Sequence, residues 1–274
     1  MIRLFHVSDL HFGCEDREAL AWFARRTAAE RPDAVIVTGD LTMRARSREF
    51  AAAAEWLKAL GRPVTVEAGN HDLPYYDLVA RFLAPYRRTR ALAAMIETPL
   101  DVKGVAVVPL KTTARFQFRL NWSKGHVSAG ALRRSLALVA AARGEQAILV
   151  AAHHPLIEPG TRSHARTRGG RAALAALAAA GAHAVLTGHV HDPFDLPVEA
   201  AGRTVRLIGA GTLSQRVRTA PPSFNEIRIE SGAIVAIARK LGEEDAVLSY
   251  PHPKGEGDHA QHGGGVPADY KRSV

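Results

Sequence analysis

The chain carries a single cysteine, Cys14, in 274 residues, so no intrachain disulfide can form and the fold must be held by its core. Aromatic residues make up only 6%, and no interleaved basic and aromatic platform of the kind that stacks single-stranded bases is present. No run reaches the roughly 18 to 20 uncharged apolar residues that a membrane-spanning helix needs. Acidic residues are in deficit: 27 Asp and Glu against 36 Lys and Arg leave a formal net charge of +9. That excess can attract anionic substrates. The arginines are spread through nearly every segment beside abundant alanine, however, so they do not mark a nucleic-acid surface by themselves. The first residues lead straight into charged positions without the basic, apolar and small-residue regions of a signal peptide. A cytoplasmic protein with no membrane span is expected.

Hydrophobic residues at 47% and charged residues at 23% suit a globular chain large enough to bury a full core. The first part alternates short apolar runs with amphipathic stretches. Strands are expected at 2–7, 34–37, 64–66, 105–108, 147–151 and 184–186, with helices at 16–30, 47–60, 128–142 and 171–180 between them. Ser47 reads as the N-cap of its helix, and Gly61 with Pro63 ends it. From 194 to 249 the pattern turns to strands, with β-rich pieces at 205–208, 226–229 and 234–238. One domain over 1–250 is expected, followed by a disordered tail over 251–274 rich in Gly, Pro, His and Lys. The tail histidines His252, His259 and His262 have no surrounding pattern that would hold a ligand geometry.

Polar, chemistry-bearing residues follow the apolar runs. Ser8-Asp9-Leu10-His11 follows the first, Thr38-Gly39-Asp40 the second and Gly69-Asn70-His71-Asp72 the third. His153-His154-Pro155 and Gly188-His189-Val190-His191 follow two later ones. In α/β sheets such loops converge at the C-terminal edge of the strands. Imidazole, carboxylate and amide oxygen together suit divalent ions such as Mn, Fe, Co, Ni or Zn. Asp9 and His11 are two apart, as are His189 and His191, and in extended backbone such pairs point the same way. Gly39, Gly69 and Gly188 permit tight turns that aim the next side chain, and the two oxygens of Asp40 suit a bridge between ions. Asp-x-His and Gly-Asp recur by chance and are weak alone, Gly-Asn-His-Asp and Gly-His-x-His are more specific, and the ordered set is what carries weight.

This ordered set resembles the calcineurin-like metallophosphoesterase superfamily, whose pattern is Asp-x-His, Gly-Asp, Gly-Asn-His-Asp/Glu, His and Gly-His-x-His. All five blocks stand between Asp9 and His191. The resemblance implies an α/β fold in which two mixed β-sheets form a sandwich flanked by helices. It implies two divalent or mixed-valence metal ions, with Asp9, His11 and His191 on one, Asn70, His153 and His189 on the other, and Asp40 bridging. It places His71 near the leaving group and gives Asp72 the role of fixing the His71 ring. His153 is preferred to His154 because it comes first in the His-His-Pro form. Within the superfamily the chain is similar to the bacterial class III cyclic-nucleotide phosphodiesterase group. The lipid A pyrophosphatase branch, which has Arg where His71 stands, is a poorer match.

The activity expected is hydrolysis of a phosphodiester, a cyclic nucleotide being one candidate, by a hydroxide generated on the dinuclear centre. A phosphate-ester small molecule or nucleotide is the expected partner, with nucleic acid less favoured, and the similar group suggests a homodimer. Rival readings are a phosphomonoesterase or nuclease on the same site, or a scaffold without chemistry. Arg44 and Arg46 are candidates to neutralise the phosphate, and Arg162, His164, Arg166, Arg168 and Arg171 to form a basic lid; solvated surface is the plainer reading of both groups. Cys14 reads as a small buried residue outside the ligand set.

Overall fold

The structure is a computed structural model that describes residues 1–96, 102–118 and 121–248. The tail calls, with His252, His259 and His262, lie outside the described residues. In chain order the elements are β1 (Ile2–Val7), α1 (Arg17–Glu30), β2 (Ala34–Val37), α2 (Ser47–Ala59), β3 (Val64–Val66), α3 (Leu78–Leu83) and α4 (Arg87–Ile96). There follow β4 (Val105–Pro109), α5 (Ala129–Ala141), β5 (Ala147–Ala151), α6 (Gly170–Ala180) and β6 (Ala184–Thr187). The last described elements are β7 (Phe194–Ala200), β8 (Arg203–Gly209), β9 (Ser223–Glu230), β10 (Ala233–Lys240) and β11 (Ala246–Val247).

The strands form two mixed sheets, ordered β11-β10-β9-β1-β2-β3 and β4-β5-β6-β8-β7. Within them β1, β2 and β3 run parallel, as do β4, β5, β6 and β8, while β9, β10, β11 and β7 pair antiparallel. The short apolar runs are buried on both faces, so period-two alternation divides them between different cores. Leu4, Ile36, Leu149, Leu186, Ile208 and Ile227 meet between the sheets. Their neighbours Phe5, Val35 and Val37 face outward onto Phe23 of α1 and Phe50 and Leu57 of α2. Ile148, Val150 and Val185 face the other way, onto Val139 of α5 and Leu174 and Leu177 of α6. The result is helices, sheet, sheet, helices, the sandwich expected. Phe5, Phe23 and Phe224 pack with ring centroids 4.8–5.9 Å apart at the centre of the first outer core.

Asp16 caps α1 by accepting from the backbone N–H groups of Glu18 and Ala19. The cap of α2 differs from expectation. Arg46 is the capping position and Ser47 the first helical residue. The reason is Glu49, whose buried carboxylate accepts from the backbone N–H groups of Arg44 and Arg46 at 2.8 and 3.2 Å. Helices α3 and α4 lie in stretches the sequence pattern did not reveal, and β7 falls in the strand-rich region from 194 on, ahead of the β-rich pieces named there.

Candidate metal centre

The loops after β1, β2, β3, β5 and β6 converge at one edge of the two sheets. Asp9, His11, Asp40, His189 and His191 all have positive φ, between 47° and 70°. This corrects the extended-backbone reading of the Asp9/His11 and His189/His191 pairs: each stands in left-handed backbone, which costs a non-glycine residue on the order of 1 kcal/mol or more. Ties between loops hold them there. Asp9 N–H donates to Gly39 O, His11 N–H to Asp40 O, and Gly188 N–H to His153 O, at 2.9–3.0 Å. Of the three expected turn glycines, only Gly39 has positive φ, at 92°. Gly69 and Gly188 are needed for space: a Cβ at Gly69 would overlap Asp40, and one at Gly188 would overlap Ser8 and press on Asp9.

Two carboxylates divide their oxygens between scaffold and centre. Asp9 Oδ2 accepts from His189 N–H at 2.8 Å, and Asp40 Oδ1 from His71 N–H at 2.7 Å. Asp9 Oδ1 lies 3.0 Å from His191 Nε2 and 3.6 Å from His11 Nε2. Asp40 Oδ2 lies 3.3 Å from His153 Nε2 and 3.9 Å from His11 Nε2. His153 Nε2 is also 3.1 Å from Asn70 Oδ1. The His189 ring stands 5.3 Å from that of His153. The structure therefore brings together Asp9, His11, Asp40, Asn70, His153, His189 and His191, with Asp40 Oδ2 facing both halves of the group.

The donor chemistry fits cations. His153 Nδ1–H donates to Thr38 O at 2.7 Å and His191 Nδ1–H to Arg216 O at 2.6 Å, which leaves each Nε2 lone pair aimed inward. His11 Nε2 and His191 Nε2 face each other at 3.3 Å. Among the described residues, buried Asp9 Oδ1 has only the ring nitrogens of His191 and His11 as near polar neighbours. Ligands about 2.1 Å from one ion sit roughly 3.0–3.4 Å from each other, and most of the distances here fall close to that range. Among the described residues, sets that can hold an ion include Asp9/His11/His191 and Asp9/Asp40/His153. Electrostatics agree. Burial would raise the carboxyls of Asp9 and Asp40, yet the surrounding imidazoles hold both well below the usual range. His153 is pushed up to about 9, Asp40 prevailing over burial, while burial and His153 push His189 down to about 3.

His154 also lies within reach of His153 and His189, but its ring is spoken for. Nε2–H donates to Ser123 O at 2.8 Å and Nδ1 meets Thr112 Oγ1 at 2.9 Å. Asp72 does not fix the His71 ring; that expectation is corrected. Its carboxylate accepts from Leu41 N–H, Thr42 N–H, Thr42 Oγ1–H and Gly69 N–H at 2.9–3.2 Å, stitching the Asp40 loop to the Asn70 loop. Burial and the Asp40 charge push it up to about 6. The His71 ring is held instead by the Met43 carbonyl, which accepts from Nδ1–H at 2.8 Å.

Asp40, Asn70, His71, His189 and His191 open onto a cleft of about 230 Å³. Arg216 reaches into it from the loop after β8, with Nη1 3.0 Å from His71 Nε2. Sequence reading missed Arg216, because no motif surrounds it; its proximity comes from β8 pairing beside β6. Arg44 lies on an adjoining cavity with Asn70 and His71, whereas Arg46 lines neither. Of the basic-lid candidates, His164 lines the cleft beside Ser163, whereas Arg162, Arg166, Arg168 and Arg171 do not, in line with the plainer surface reading of those arginines. Cys14 is half-buried rather than buried, its Sγ 4.0 Å from Gln215 Oε1.

Among solved structures, the fold is similar to a dimetal phosphatase from Danio rerio, with TM-score 0.66 and 14% identity over 91% of this chain and 99% of that one. It is also similar to the purple acid phosphatase PPD1 from yellow lupin, with TM-score 0.62 and 10% identity over 90% of this chain and 53% of that one. At these identities the likeness is one of fold. A curated relative is the glycerophosphodiester phosphodiesterase GpdQ of Enterobacter lignolyticus, 32% identical over 80 residues. That match spans 25% of this chain and 29% of the relative's length. Among the described residues no helix is long and apolar enough to cross a membrane. Residues 2–193 match the family model for calcineurin-like phosphoesterase, and with that match over most of its length the chain belongs to this family of metallophosphoesterases.

Proposed function

We propose that the protein hydrolyses phosphodiesters at a two-metal centre. The observation that carries this reading is the pair of ligand groups joined through one carboxylate oxygen, Asp40 Oδ2, which faces His153 Nε2 at 3.3 Å and His11 Nε2 at 3.9 Å. Asp9, His11 and His191 would hold one ion, Asn70, His153 and His189 the other, and Asp40 both. When bound, the ions supply a lowered water pKa and positive charge beside the phosphate oxygens.

The chain's own groups do the rest. His153 and His191 keep their ligand nitrogens aimed inward through hydrogen bonds to Thr38 O and Arg216 O. The Arg216 guanidinium places a positive charge at the cleft for the phosphate. His71, its Nδ1–H held by Met43 O, turns Nε2 to the cleft, where it accepts from Arg216 Nη1–H at 3.0 Å and fixes that guanidinium beside the place of the leaving oxygen. Water adds to phosphorus, the bond to the leaving alcohol breaks, and one water proton ends on that alcohol. Asp72 is a positioning residue. Diester chemistry is supported by the partial likeness to a phosphodiesterase and by the larger cavity beside His71, which has room for a second ester arm.

The test is metal add-back. Chelator-treated protein receives Mn, Fe, Co, Ni or Zn separately and is assayed on matched aryl diesters and monoesters beside Asp40→Asn. Metal-dependent cleavage with diester preferred, lost at least about 100-fold in Asp40→Asn, is the expected result. Monoester preference would replace the diester reading with a phosphomonoesterase, and no metal binding or cleavage would sink the hydrolase.

A further inference from the structure

Beside the metal cleft lies a second cavity of about 850 Å³. The two share Asn70 and His71 in their walls, so a phosphoester seated at the metals would pass its leaving group beyond His71 into the larger space. Leu73, Tyr75, Tyr76 and Trp122 give that space apolar and aromatic walls, suited to a ring. Its charged walls are Arg44 and Arg81, and no carboxylate among the described residues lines it.

Arg81 is unusual among the arginines. It is 3% exposed, and its guanidinium lies 5.3 Å from the centre of the Trp122 ring. Among the described residues its hydrogen-bond partners are carbonyls: Nε–H donates to Arg115 O at 2.9 Å, and the two terminal nitrogens donate to Pro74 O and Ala114 O at 3.3 and 3.4 Å. The last two are long for hydrogen bonds. A buried cation is ordinarily paired with an anion, and leaving one unpaired is costly. Burial accordingly pushes the Arg81 guanidinium down. Three carbonyls supply dipoles but no compensating charge, and the described residues of the cavity wall offer none either.

We infer that this cavity is a leaving-group subsite and that it selects phosphoesters whose leaving alcohol carries a ring and a second anionic group, a carboxylate or another phosphate, received by Arg81 with Arg44 at the mouth. The substrate class rests on the phosphoesterase reading; occupancy of the cavity by an aryl anion does not.

The test uses the metal-loaded full chain and three matched diesters: methyl phenyl phosphate, methyl 4-carboxyphenyl phosphate and methyl 4-phosphonophenyl phosphate. The wild type is expected to favour one or both anionic esters by about 10- to 100-fold in kcat/KM, the range for one charge-assisted contact. Which of the two is favoured identifies the anion. In Arg81→Gln that ratio should fall toward unity, and Arg81→Lys should restore part of it. If the wild type shows no preference, the subsite is overturned. If Arg81→Gln lowers all three esters in proportion and keeps the ratio, Arg81 only ties its loops together and the inference fails. Calorimetric binding of phenylphosphonate and 4-carboxyphenylphosphonate needs no turnover and separates the two readings. Tighter binding of the second without hydrolysis of any ester leaves the subsite standing and sinks the hydrolase; equal binding with normal turnover does the reverse.

Discussion

Substituting Gly188→Ala isolates the steric demand of the metal loops. Gly188 is not among the residues with positive φ, so alanine meets no backbone penalty there. What it meets is matter. The added Cβ would overlap Ser8 Oγ and lie 2.5 Å from both Ser8 Cβ and Asp9 Oδ2. Rotating the Ser8 hydroxyl relieves one of these contacts and loses its hydrogen bond to Thr38 O at 3.1 Å. Overpacking of this kind costs about 1–3 kcal/mol, and the buried hydrogen bond about 1 more. A total of about 2–4 kcal/mol corresponds to a fall in Tm on the order of 5–10 °C for a chain of this size. Because Asp9 must move, metal affinity should fall at least about 10-fold. Gly61→Ala is the control: its φ is 61° but nothing lies within 4 Å of the added atom. It should cost about 1–2 kcal/mol of stability from the left-handed backbone alone and leave metal affinity unchanged. Scanning calorimetry and metal titration read both. An unchanged Tm and metal affinity in Gly188→Ala would refute the crowding argument.

Three further outcomes are expected. Elemental analysis of purified protein should show one fewer ion in His153→Ala, while His154→Gln, whose ring is engaged by Thr112 and Ser123, keeps the wild-type count; the opposite result would exchange their roles. Phe23→Ala empties the centre of the Phe5/Phe23/Phe224 cluster and should cost about 3–5 kcal/mol in denaturant unfolding. Glu226 is fully buried beside Arg3, Arg228 and Arg239; burial alone would raise its carboxyl, but Arg228 and Arg239 hold it below its ordinary 4.5. Its contribution is therefore complete above about pH 4.5 and fades as pH falls through the lowered value. Glu226→Gln should destabilise by about 3–5 kcal/mol near neutrality and flatten the loss of stability below pH 4.5, a comparison that unfolding curves across pH would check.

Sequence and structure divided the work unevenly. The parallel strands β1, β2, β3 and β5 were predictable because each is a short run of branched apolar residues bounded by polar loops, buried on both faces. The candidate ligand set was readable because metal chemistry restricts residue type and each motif follows a strand. Helices α3 and α4 were not readable: α3 has six residues, and its Leu78, Val79 and Leu83 are exposed, so no apolar stripe points to a core. The role of Asp72 also escaped, since adjacency to His71 in the chain says nothing of which backbone N–H groups its carboxylate will meet. Arg81 and Arg216 carry no local signal either, being arginines among 36 basic residues. The sequence alone, through side-chain type, strand periodicity and the family resemblance its ordered motifs carry, pointed to the fold class, the family and the seven residues that converge at the candidate centre. Only the tertiary structure decided that Asp9 and Asp40 each commit one oxygen to the scaffold, that His154 is closed off, and that a buried arginine faces the cavity beyond His71. Those outcomes depend on distances between loops that only sheet pairing brings together.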